Sequence, residues 1–78
     1  MEKVKITTCE ESVKYMDTAR KKIFKNELAS MKDIEAYIYG TFDQIHSTWL
    51  YRDYYIEQAL KDYIIHCEVE EKVPVSGF

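Results

Sequence analysis

Apolar positions recur at helical spacing along most of this chain. Val13, Met16, Ala19, Ile23, Phe24 and Leu28 fall on one side of a helix drawn from Glu10 to Leu28. Lys14, Lys21, Lys22 and Lys25 fall mainly on the other, which is the pattern of an amphipathic helix with one core face. Thr7 or Thr8 can cap it, and Thr8 with Glu11 has the capping-box spacing. Glu10 and Glu11 then sit in the first turn, near the positive end of the helix dipole. A second, short helix is expected from Met31 to about Tyr39, with Ser30 as N-cap and Asp33 three residues later. Gly40 fits the left-handed position after a helix end. Thr41 can cap a third helix at once, with Gln44 in the capping-box place.

The third helical region extends from Phe42 to about Cys67 without glycine or proline. As one helix it would be roughly 39 Å long; a break near Ser47 to Asp53 would instead give four helices. The ends differ in pattern. Val4 and Ile6 alternate with polar residues in KVKITT, which suits a short strand or an extended arm. Pro74 prevents helix continuation in EVEEKVPVSGF. That segment is a tail, or a strand paired with the N-terminal run. The expected architecture is mainly α: one compact domain over residues 1–78, a bundle of three or four helices, with an optional terminal strand pair. Residues 1–8 form its arm and 68–78 its tail.

Aromatic residues are concentrated in YIYGTFDQIHSTWLYRDYYI, residues 37–56. At 100° per residue, Ile45, Trp49, Ile56, Leu60, Tyr63, Ile64 and Cys67 share one side of the third helix. The other side holds Gln58, Lys61 and Asp62, but also Tyr51, Tyr54, Tyr55 and Ile65. A helix buried on one face does not need three tyrosines and an isoleucine on its back. Tyrosine is enriched in interface cores, because it offers a rigid apolar area with a polar tip. Tyr51, Tyr54, Tyr55 and Ile65 are therefore the candidate partner-binding residues; the alternative is surface tyrosines with wet hydroxyls.

Composition narrows the classes. A 78-residue chain fits one domain, and domains this short are marginal alone, often gaining stability from a partner or by dimerisation. Net charge is −3, which argues mildly against an electrostatic nucleic-acid binder. MEKVKITT lacks the apolar run of a signal peptide, and no segment approaches the ~20 apolar residues of a membrane span. Cytoplasmic location with reduced Cys9 and Cys67 is the default expectation. The bias to Lys, Glu, Ile and Tyr would suit an AT-rich bacterial or phage genome.

Chemistry-bearing constellations are thin. His46, His66, Cys9 and Cys67 offer no CxxC or HxxxH pair, whereas zinc needs three or four converging ligands. Two glycines build no phosphate loop. Glu57 and Lys61 have the spacing and orientation of a helical ion pair rather than of an acid–base pair. No cofactor, metal or catalytic residue is expected.

MKDIEAYIYGTFDQIHSTWL resembles a helix-turn-helix: a short helix, a glycine turn, then a second helix. The resemblance covers about twenty residues and implies DNA contact. Gln44, Ser47 and Thr48 would read bases, while Lys21, Lys22 and Lys25, beside Arg20, would hold phosphates. The leading expectation is a small protein–protein interaction module (a regulator, adaptor or inhibitor) that docks on another protein or on itself as a homodimer. The alternative is a helix-turn-helix-like DNA-binding transcriptional regulator.

Overall fold

The computed structural model describes residues 3–48 and 51–78. Three helices follow one another: α1, Cys9–Phe24; α2, Met31–Thr41; α3, Arg52–Val69. The start of α1 is the expected capping box. The Thr8 hydroxyl accepts from the Glu11 N–H at 3.2 Å, and the Glu11 carboxylate accepts from the hydroxyls of Thr8 and Thr7. Such a cap contributes about 1 kcal/mol. The helix stops at Phe24, short of Leu28, because Asn26 adopts a left-handed φ of 61°. Glu27 N–H then bonds the Lys22 carbonyl and Asn26 N–H the Ile23 carbonyl, a Schellman ending. Glu71, at φ 55°, ends α3 in the same way.

α2 begins as expected, with the Ser30 hydroxyl accepting from Asp33 N–H. It does not stop at Gly40 but runs on through Thr41. Nor does Thr41 cap a third helix. Its hydroxyl donates to the Tyr37 carbonyl at 2.7 Å and accepts from Tyr15. The third helix starts at Arg52, ten residues later than one unbroken helix from Phe42 would and within the Ser47 to Asp53 window of the alternative, with no separate helix before it among the described residues. The cause is local. Phe42 is extended, and the Asp43 carboxylate accepts from the N–H groups of Ile45 and His46, offering the backbone a turn in place of a helix. Those bonds, with the His46 ring 2.9 Å away, hold the Asp43 acid below its ordinary value. Gln44 then closes the gap: its side-chain carbonyl accepts from Arg52 N–H at 2.7 Å and caps α3.

Interhelix bonds fix the directions. Tyr55 donates to Ser12, Arg20 pairs with Asp62, and His66 bonds Asn26, so α1 and α3 run parallel. Tyr63 donates to the Ala29 carbonyl, just before α2, and the Arg52 guanidinium lies 4.2 Å over the Tyr39 ring near the end of α2. α2 is therefore antiparallel to both, and α3 is the element on which α1 and α2 each pack.

No terminal strand pair exists among the described residues. The arm instead meets the α2–α3 connection. Val4 N–H donates to the Thr41 carbonyl, and Asp43 N–H returns to the Val4 carbonyl at 3.0 Å, an isolated parallel bridge to Phe42. The tail lies on the N-terminus of α2, where Met31 and Lys32 donate to the carbonyls of Val75 and Ser76. Two N–H groups that a helix start leaves without partners are satisfied this way. Gly77, at φ 78°, permits the approach: a Cβ there would stand 2.7 Å from the Ser30 hydroxyl oxygen.

The core also departs from the expected stripes. α1 buries Ser12, Tyr15, Ala19 and Ile23, while Val13 and Phe24 are half exposed. α3 buries Tyr55, Ile56, Ala59, Tyr63, His66 and Cys67; Leu60 is partly buried, Ile64 is exposed and Ile45 projects into solvent. Trp49 lies outside the described residues.

Candidate functional site

The four candidate partner-binding residues divide. Tyr55 is fully buried. Its ring packs edge-on to Tyr15 at 5.3 Å between centroids and tilted to Phe42 at 4.9 Å, and its hydroxyl donates to Ser12 at 2.9 Å. It belongs to the core, and the surface reading of Tyr55 is corrected accordingly. Burial raises its hydroxyl pKa above the ordinary value, with the Ser12 bond working the other way. Missing from the sequence reading was Tyr15, whose hydroxyl reaches Thr41 from 26 residues away. That separation left no local sign of burial.

Tyr54 and Ile65 remain outside, 44% and 52% exposed, and Tyr51 is 78% exposed at the N-cap of α3. Eleven residues separate Tyr54 from Ile65, which returns them to within about 20° on a helix. Between them the same face presents Gln58 and Lys61, with Lys61 3.3 Å from the Glu57 carboxylate. The face lies opposite the buried Ile56 and Tyr63, and so points away from the core. Tyr54 is not loose: its ring meets Tyr55 edge-on at 5.6 Å. A rigid aromatic surface over a packed core is what a protein contact uses, because little rotamer freedom is lost on docking.

The residues expected to read DNA are not gathered. Gln44, Ser47 and Thr48 lie in the connection between α2 and α3 and not on a recognition helix. Gln44 is occupied with capping Arg52, the Ser47 hydroxyl accepts from Ile6 N–H at 2.9 Å, and Thr48 N–H donates to the Ile6 carbonyl. Lys21, Lys22 and Lys25 sit at the other end of α1, beside the C-terminus of α3; Lys22 reaches over the Tyr37 ring at 5.7 Å. The helix-turn-helix resemblance rested on Gly40 as the turn and on Thr41 with Gln44 as a helix start, and neither holds: α2 runs through Thr41, and Gln44 serves α3.

A second feature lies elsewhere. An open groove of about 240 Å³ is lined by Val4, Glu11, Lys14, Tyr15, Thr18 and Tyr37, between the arm, α1 and α2. Among the described residues no His, Cys, Asp or Glu cluster could hold a metal ion, and no helix is long and apolar enough to cross a membrane. Cys9 is exposed, Cys67 is buried, and neither is in a disulfide. Compared with known proteins, the chain matches no family model, no curated protein and no solved structure.

Proposed function

We propose that this chain is a protein–protein interaction module, of the regulator, adaptor or inhibitor kind, which pairs with a second copy through the outer face of α3. The observation that carries this reading is the placement of Tyr54 and Ile65, half exposed at the two ends of one helical face. That face is complementary to itself when reversed. A two-fold axis midway between Gln58 and Lys61 sets Tyr54 of each copy against Ile65 of the other. It also brings Lys61 of one copy beside Glu57 of the other, so charges of opposite sign meet across the axis. Tyr51, at the end of the face, extends the contact. A single helix pair falls at the small end of interface sizes, which corresponds to an affinity on the order of micromolar.

The test is solution mass by light scattering over a wide protein concentration range. The native chain is expected to pass from monomer to dimer. The Tyr54→Ser/Ile65→Ser variant should stay monomeric with unchanged far-ultraviolet circular dichroism. A native chain that is monomeric throughout, or a well-folded variant that still dimerises, defeats the proposal.

A further inference from the structure

We infer that the outer edge of the N-terminal arm, with the groove beside it, docks an extended acidic segment of another protein by adding it as a strand. The argument starts from backbone direction. In extended chain, successive residues turn their N–H and C=O groups to opposite edges. Val4 and Ile6 both turn theirs towards residues 41–48. Val4 bonds Thr41 and Asp43, and Ile6 bonds Ser47 and Thr48. The intervening residues therefore face the other way. Thr7 shows where that edge lies, because its N–H donates to the Glu11 carboxylate at 3.3 Å, and Glu11 lines the groove.

On the same edge, the N–H and C=O of Lys5 have no hydrogen-bond partner among the described residues. Unpaired extended backbone of this kind is a template for another extended chain. An added strand would run beside Lys3 to Lys5, and every second side chain would enter the groove over the Tyr15 and Tyr37 rings. These rings stack on each other at 6.4 Å and give the groove a rigid aromatic floor. The space suits one apolar side chain rather than a separate small-molecule ligand, since such pockets usually exceed about 300 Å³.

Charge selects the partner. The Thr7 and Thr8 bonds hold the Glu11 carboxylate ionised, and Glu10 lies 3.6 Å from Lys14, so Glu10 and Glu11 face Lys3, Lys5 and Lys14. Lys3 and Lys5 have no carboxylate partner among the described residues. Three lysines against two carboxylates leave the edge slightly positive on a chain whose net charge is −3, and the excess sits at Lys3 and Lys5, where it favours an acidic segment with apolar residues at alternate positions. This surface is separate from the outer face of α3, so either assignment can fail without the other.

Selection from a random short-peptide library displayed on phage tests the inference on the full chain. Enriched peptides should be acidic, with apolar residues alternating. Their binding should weaken about tenfold for Lys5→Glu, and by a similar factor when the peptide backbone is N-methylated at alternate residues. Amide shifts on binding should centre on Val4, Lys5, Thr18 and Tyr37. Lys5 is exposed, so the variant should fold, which unchanged circular dichroism verifies. No enrichment, basic or neutral winners, indifference to either change, or shifts confined to α3 would each overturn it.

Discussion

Tyr15 lies among Tyr37, Phe42 and Tyr55, with its hydroxyl closed off by Thr41. From the sequence alone, Tyr63 fell on the core stripe, Tyr51, Tyr54 and Tyr55 read as an outward face, and Tyr15 gave no sign of burial. What makes burial tolerable is a hydrogen-bond partner for each one, and those partners are distant: Thr41 for Tyr15, Ser12 for Tyr55, Ala29 for Tyr63. Periodicity carries no such information, so the aromatic core was only half legible. Burial also has a pH signature. It pushes the Tyr15 hydroxyl up to about 12 and raises Tyr37, Tyr55 and Tyr63 in the same direction. In the unfolded chain these groups ionise near about 10. Between the two values the unfolded state has released protons that the folded state retains, so stability is full below pH of about 10 and falls as pH rises towards about 12. The thermal midpoint should decline across that window, and Tyr15→Phe should decline less steeply. Equal slopes for the two proteins would contradict the assignment.

Helix starts set by adjacent residues were legible, as Thr8 with Glu11 and Ser30 with Asp33 show. The start of α3 was not, because its cap, Gln44, acts from eight positions away. Helix ends were misread where glycine was taken as the signal. Gly40 is helical, and a Cβ there meets nothing within 4 Å. The left-handed endings fall on Asn26, a residue that tolerates them, and on Glu71, which does not. Opposite substitutions follow. Gly40→Ala should stabilise by about 0.5–1 kcal/mol, because alanine orders more readily in a helix. Glu71→Gly should stabilise by a similar ~0.5–1 kcal/mol by relieving the left-handed strain. Urea midpoints at constant slope would measure both. A loss of stability in Gly40→Ala would mean that Gly40 does hold the left-handed stop its spacing suggested.

For the whole molecule, a mainly α fold was legible, whereas the fate of the two extended ends was not. A few alternating residues state that a segment is extended but not what it pairs with, so the arm went to the α2–α3 connection and the tail to the start of α2. On the candidate face, the exposure of Tyr54 and Ile65 was legible from helical angle, whereas Tyr55 was misplaced because the partner that lets it be buried, Ser12, lies 43 positions away. The parallel placement of α1 and α3 has a kinetic consequence. The bonds joining them span 43, 42 and 40 positions in sequence. α1, at 16 residues, draws most of its stability from packing on other elements, and its packing partner α3 comes last along the chain. Order in the first half must therefore wait for a long loop to close, which slows folding relative to bundles assembled from neighbouring hairpins. A fragment ending at Thr48 should show the circular dichroism of a largely unordered chain, and adding residues 49–78 in trans should restore helix to both pieces. A fragment already helical alone would mean that α1 and α2 fold without α3, and that the last helix only docks on a finished half.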